Sequence, residues 1–374
     1  MSNSAEQVKN GLGGAISKAP RSSNLELYRI ICMLMIVAHH YVTNSGLTGA
    51  DEPLMTDFSS RSAFLFIFGA WGKTGINCFM MITGYFMCTS KITFRKFLKL
   101  LTQIYFFRIF LFALFLSTGY ETMSTMRLVK LLMPFWELEH GFIPCFMVFF
   151  LTIPFWTMLV QNMTKRQHEM LLILLFGCYT LLGSVPTFKV SFNYITWFGV
   201  IFLMASYIRL YPVKLFERRA LWGWLSLVFV TFASLTIVLL QRYLGAGMFF
   251  MSDCNKLFAV VVAVTSFLWF KNMNIKYSKI INAFGAGTFG VLLIHANSSA
   301  MRTWLWKDTV DVVGHYTLPL GQLVLFSIGV VLAIFIVCNL IDQLRIATLE
   351  KWFLNWYDKK WSAKADLLIE RMKN

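Results

Sequence analysis

Residues 27–42 read "LYRIICMLMIVAHHYV". The stretch is apolar enough to lie in lipid, yet it holds Arg29, His39 and His40. An arginine at the centre of a bilayer costs about 2.5–3.5 kcal/mol on insertion scales. Such groups persist only where partners or water meet them. Extended to 25–43, the run has the length of a helical membrane span. An α-helix turns about 100° and rises about 1.5 Å per residue, so Arg29 and His40 fall on one face, three turns and about 16 Å apart. His39 points about 80° away. Glu26 lies one turn before Arg29, where it can pair with it. Two readings are open at this point. Arg29 snorkels to one headgroup layer and the histidines reach the other, or Arg29 and His40 face a shared polar interior, where intramembrane ionisable groups mark function.

The rest of the chain repeats this character. Of its 374 residues, 57% are hydrophobic and 14% are charged, with a mean hydropathy of +0.62. Globular soluble chains carry about a quarter charged residues, so a soluble domain is excluded. The runs do not alternate as barrel strands do. The expected fold is all-α, a polytopic helical membrane protein of about ten transmembrane helices at 25–43, 62–87, 97–117, 142–160, 170–183, 194–210, 221–244, 256–270, 284–304 and 320–341. The second run carries Gly69, Gly72, Lys73 and Gly75; it reads as a kinked helix or a re-entrant piece before a shorter span.

The net charge is +16. Placing the N-terminus in the cytoplasm puts 23 Lys and Arg on the inner side and 8 on the outer, with Arg29, Lys73 and Arg108 inside runs. That asymmetry predicts N-in and C-in, and it explains the basic charge by topology rather than nucleic acid. The expected organisation is a cytoplasmic segment at 1–24, a membrane domain at 25–342 and a cytoplasmic tail at 343–374. The first run lacks a clear cleavage site and reads as a retained span. The seven cysteines form no C-x-x-C pair and read as small buried hydrophobes, with no metal site implied.

Other polar groups stand out against the apolar background. His295 lies in "FGVLLIHANSS". Counted along their helices, His295 and His40 lie about 17 Å and 22 Å from the inner edge, close enough in depth to share a cavity. A histidine hydrogen-bonded within the bundle is the plainer reading, and Asn297 and Ser298 are its expected partners in either case. Arg95, Lys96 and Lys99 cluster where the third run leaves the cytoplasm, as a topology signal or as a grip for phosphates. Arg108 lies deeper and needs a partner or water. No carboxylate falls mid-run, so a proton-relay pump is disfavoured. No G-x-S-x-G, phosphate-binding loop, H-E-x-x-H or helix-opening GxGxxG occurs, which leaves soluble-type hydrolase, ATPase, zincin and dinucleotide chemistry without support.

These residues together resemble the acyltransferase type 3 family, integral membrane enzymes that O-acylate bacterial surface sugars. "LELYRIICMLMIVAHHY" matches the family's R-x10-H through Arg29 and His40. "GINCFMMITGYF" is similar to its F-F-x-x-S-G-Y-F segment, with Thr83 for Ser and Gly84-Tyr85-Phe86 intact. Lys96 and Lys99 of "FRKFLKL" stand in place of its R-x-x-R, keeping charge but losing the guanidinium fork. "HGFIPCFMVFFLTIPF" resembles its W-F entry to a middle span, with Gly141 where Trp is expected. "FGAGTFGVLLIHANS" looks like its S-F-G-x-Y-L-x-H stretch, with Thr288 for Ser, Leu292 for Tyr and His295 matching.

The resemblance implies acyl transfer, with acetyl-CoA as the expected donor and a hydroxyl of a polysaccharide or lipid-linked sugar as acceptor, at the bacterial cytoplasmic membrane. His40 would act as general base or acyl carrier. Arg29 would join it, and His295 or Tyr85 would stabilise the oxyanion. Arg29, Lys96 and Lys99, with Arg95 and Arg108, would bind the donor. The outer loop 119–141, with Glu121, Glu137, Glu139 and His140, is the expected acceptor contact. A transporter or flippase for lipid-linked sugars is the alternative, distinguished by substrate movement without acyl transfer.

Overall fold

The computed structural model describes residues 22–49, 51–56, 58–136, 138 and 141–361. Among them all regular structure is helical. The longer helices are α1 (Ser23–Thr43), α2 (Ser60–Gly69), α3 (Gly72–Met87), α4 (Phe94–Ser117), α5 (Thr125–Leu132), α6 (Phe142–Asn162), α7 (Lys165–Leu175), α8 (Tyr194–Leu210), α9 (Arg219–Leu244) and α10 (Leu257–Lys271). They are followed by α11 (Lys279–Ala286), α12 (Thr288–His295), the short α13 (Ser299–Arg302), α14 (Leu320–Arg345) and α15 (Lys351–Lys360). The basic residues Lys9, Lys18 and Arg21 lie outside the described residues, as do Glu137, Glu139 and His140.

Six segments are long and apolar enough to cross a membrane: Ser23–Thr43, Ser60–Met87, Phe94–Ser117, Phe142–Asn162, Arg219–Leu244 and Leu320–Lys360. α8 and α10 are apolar but shorter. Exposed faces carry the signature of lipid contact. α9 presents Trp224, Leu227, Val228, Phe232, Leu235 and Leu239 outward, a continuous apolar surface that water would not tolerate.

α1 is the central helix, with α2, α3, α10, α11, α12 and α14 packed around it. Its flank is held by buried hydrogen bonds: Asn24 donates to the carbonyls of Phe270 and Lys271 at 3.0 and 2.9 Å, and Tyr28 and Ser266 share a 2.7 Å bond. At the middle of the bundle Trp197 Nε1 donates to Asn77 Oδ1, and Asn77 Nδ2 donates to the Cys254 carbonyl. Buried polar groups in hydrocarbon must find partners of this kind. Six of the seven cysteines are buried and Cys178 is exposed.

The 62–87 run is interrupted between α2 and α3, at the glycines that suggested a kink, where the chain passes the side chain of His39. Two local outcomes differ from the expected runs. The 284–304 run is not one span: the helix stops at His295 and the following segment, Ser299–Thr317, turns away by 96°. Two side chains explain the turn. Asn297 donates back to the Leu293 carbonyl, and Ser298 caps the next helix by accepting from the Met301 amide. The last run does not end at 341, since α14 reaches Arg345 and continues through a π-helical turn, Ile346–Glu350, into α15. Asp342, Arg345 and Glu350 are buried there as an ion-paired cluster, with Arg345 bonded to Asp342 at 2.6 Å and to Glu350 at 2.9 Å.

Candidate active site: a histidine pair at the end of the central helix

The break between α2 and α3 sits directly against α1. His39 Nδ1 donates to the Gly69 carbonyl at 2.7 Å. Its ring fills the notch above Gly72, where a Cβ would lie 2.3 Å from the ring. Only glycine allows that approach. His39 is thereby fixed as a packing residue, and the rotation of α1 that this imposes turns His40 towards α12.

There His40 Nδ1 lies 2.9 Å from His295 Nε2. His295 is fully buried, and its own Nδ1 lies 2.6 Å from the Val291 carbonyl one turn back. A carbonyl only accepts, so His295 carries its proton on Nδ1. Its Nε2 in the neutral ring is then an acceptor, and His40 Nδ1 must donate to it. The chain of bonds Val291–His295–His40 leaves the lone pair of His40 on Nε2. His40 as a whole is half-buried. Behind His40 Nδ1 the His295 ring, itself held by the Val291 carbonyl, stands where a carboxylate stands behind the histidine of a Ser-His-Asp triad.

Two cations flank the pair. Lys73, in the first turn of α3, donates to the Tyr194 hydroxyl at 2.9 Å, and its charge reaches both His39 and His40. The charge of Arg302 in α13 reaches His40 and His295. The sequence marks Lys73 as an in-run cation, but nothing in it says that α3 runs beside α1. Tyr194 and Arg302 carry no sequence signal beyond residue type.

The other expected site residues lie elsewhere. Arg29 is at the opposite end of α1, 3.6 Å from Glu26 and half-exposed. The structure does not bring Tyr85 to His40. Gly72 abuts His39, and Tyr85 lies thirteen residues further along α3, about 20 Å towards the Arg29 end. There it stacks beneath Arg209 and touches Phe267. Lys99 and Arg95, expected to bind donor, are paired with the C-terminal helices: Lys99 with Glu350 at 2.6 Å, and Arg95 in a fork with Asp358 at 2.8 and 2.9 Å. Lys96, on the next face of α4, reaches the Lys91 carbonyl and is exposed. Arg108 and Tyr105 donate to the Lys130 and Leu132 carbonyls, so Arg108 caps the C-terminal end of α5. His295 is partnered by His40 and Val291 rather than by Asn297 and Ser298. In the 119–141 segment Glu121 pairs with Arg127.

Comparison with known proteins gives the family. No curated protein and no solved structure matches the chain. A family model described as an acyltransferase domain matches residues 22–339, a span that holds Arg29, both partners of the histidine pair, and the helices that align them. The chain therefore belongs to the acyltransferase type 3 family and is a membrane acyltransferase.

Proposed function

We propose that this acyltransferase moves an acetyl group from cytosolic acetyl-CoA to a hydroxyl of a surface or lipid-linked carbohydrate, with His40 as general base. The observation that supports the reading most is the bond from His40 Nδ1 to His295 Nε2, because it frees Nε2 for the acceptor proton. An alcohol is a weak nucleophile at neutral pH, and a positioned imidazole contributes about 10²–10⁴-fold to such a step. His40 Nε2 takes the hydroxyl proton as the oxygen attacks the thioester carbonyl and forms the new C–O bond. The C–S bond breaks, the thiolate leaves, and the imidazolium returns the proton to give free CoA. His295 holds the tautomer throughout and accepts the Nδ1 proton bond of the imidazolium. The charge of Lys73 reaches His40, and in this reading it offsets the oxyanion charge, the kind of fixed charge that lowers such barriers.

The orientation in this reading is N-in and C-in, in the cytoplasmic membrane of a bacterium. Arg29 and Lys96 then face the cytosol, where the donor's phosphates arrive, and His40 lies deeper, towards the outer side where surface sugars are carried. The test is transfer itself. Membrane vesicles containing the full chain are given labelled acetyl-CoA, and the carbohydrate fraction is examined for an alkali-labile acetyl ester. Label in that fraction, absent from vesicles without the protein, is the expected result. Sugar movement across the membrane without label would favour a flippase.

A further inference from the structure

The Arg29 end of the bundle holds a second constellation. Tyr85 closes α3, and Arg209 lies in the last turn of α8. Gly84 is the point of closest approach between these helices: a Cβ there would lie 2.9 Å from the Ala205 side chain. Arg209 is one turn on from Ala205. Its guanidinium is therefore delivered onto the Tyr85 ring, 4.9 Å from the centroid, with Nη1 donating to the Tyr85 hydroxyl at 3.1 Å. The ring of Tyr85 is itself held against Phe267, 5.5 Å away, and Phe267 leads in turn to Tyr28 at 6.3 Å. The guanidinium is thus preorganised by two packed helices, not left on a free side chain.

Its seat on the Tyr85 ring and hydroxyl, rather than on a carboxylate, characterises Arg209. Arg95, Arg127 and Arg345 each have a carboxylate partner. Among the described residues Arg209 has none within ion-pair distance, and its hydrogen bond goes to a neutral phenol. A second cation, Lys271 at the end of α10, is near enough to feel the Arg209 charge as repulsion, with Glu217 as the carboxylate on its other side. An exposed guanidinium fixed by stacking on Tyr85, with a second cation in its electrostatic range, suits a doubly acceptor anion. A planar fork of that kind suits phosphate.

We infer that Arg209, seated on Tyr85, binds the nucleotide phosphates of the acyl-CoA donor. The inference rests on the donor chemistry of the proposed function and adds a site to it. Distance supports the match. Tyr85 lies about 20 Å along α3 from the level of the histidine pair. The pantetheine arm has about thirteen chain atoms between phosphate and sulfur, equal to between four and five extended residues, and reaches about 15 Å. The side chains of Arg209 and His40 cover the remainder. Phosphates at Arg209 thus set the thioester at His40. Because Arg95 and Lys99 are engaged with Asp358 and Glu350, the site on α8 supplies a phosphate contact that the basic pair on α4 does not.

An anionic lipid headgroup presents the same chemistry, and the experiment separates the two sources. Full-length protein is placed in nanodiscs of uncharged phosphatidylcholine, and binding of CoA and of pantetheine is measured by calorimetry for the wild type, Arg209→Ala and Arg209→Lys. The expected result is CoA binding weakened by about ten- to a hundredfold in Arg209→Ala, the loss of a charge-assisted bond. Arg209→Lys, which keeps charge and loses the fork, falls between them, and pantetheine binding is unchanged in all three. Equal CoA affinity in the wild type and both variants overturns the inference. So does a difference that appears only when phosphatidylglycerol is added, which would assign the site to lipid. Wild-type protein that binds neither CoA nor pantetheine would instead remove the donor assignment itself. Size-exclusion profiles and unchanged pantetheine binding show that the variants are folded.

Discussion

A single nitrogen carries the chemistry proposed for this protein. His40 Nε2 is a base only while His295 Nε2 accepts from His40 Nδ1, so His295 is a positioning residue with a distinct phenotype. His295→Leu removes the acceptor and lets the His40 ring turn or change tautomer. We expect kcat to fall by about 10² or more, towards the full contribution of the base, with the acetyl-CoA KM little changed. His295→Gln offers a side-chain oxygen in the same direction and should recover part of the loss. Equal kcat in both variants would remove the tautomer argument. Part of this was legible in the sequence. The Arg29–His40 register needs only helical spacing, and the similar depth of His295 follows from counting residues along two helices. Their direct contact does not follow, because depth says nothing about which faces meet. Tyr85 shows the same limit. Its place in a motif suggests chemistry beside His40, but α3 runs antiparallel to α1, and the motif's glycine instead brings it under Arg209.

At the scale of elements, the breaks do more positioning than the spans. The interruption between α2 and α3 receives the His39 ring, and that seat fixes the rotation of α1. The 96° turn after His295 leaves this residue at a helix end, beside the cation of Arg302. A hydropathy window runs through both features, since the residues that cause them, Gly69, Gly72, Asn297 and Ser298, are few among many apolar neighbours. The C-terminal helices were misread for a different reason. Asp342, Arg345 and Glu350 look like the start of a solvated tail, yet inside the protein they pair with one another and with Lys99 of α4. Arg345 is the hub of that cluster, with its side chain 2% exposed. Replacing it by Met leaves buried Asp342 without its cation, since Glu350 keeps Lys99, and breaking a buried pair in this way costs about 3–5 kcal/mol. Thermal unfolding in detergent should show a clear loss of stability for Arg345→Met. An unchanged melting temperature would mean that the cluster is solvated.

For the whole molecule, the proposed orientation assigns the two ends of α1 to two compartments. The predicted topology puts the α3–α4 connection in the cytoplasm and the α4–α5 connection outside. A membrane-impermeant maleimide applied to spheroplasts should label Thr122→Cys and spare Thr89→Cys until the cells are opened. The reverse pattern would invert the path drawn for the donor. Composition alone made the membrane class plain, because exposed apolar faces such as that of α9 have no other stable environment. The number of full spans was less legible, since α8 and α10 are apolar but short and their partners, not their length, decide their depth. The most direct test of the whole reading is acetyl transfer by vesicles carrying His40→Ala at wild-type protein levels. Transfer to carbohydrate should fall by about 10²–10⁴ relative to wild type while the variant remains folded and still binds CoA. Wild-type transfer rates in His40→Ala would contradict it.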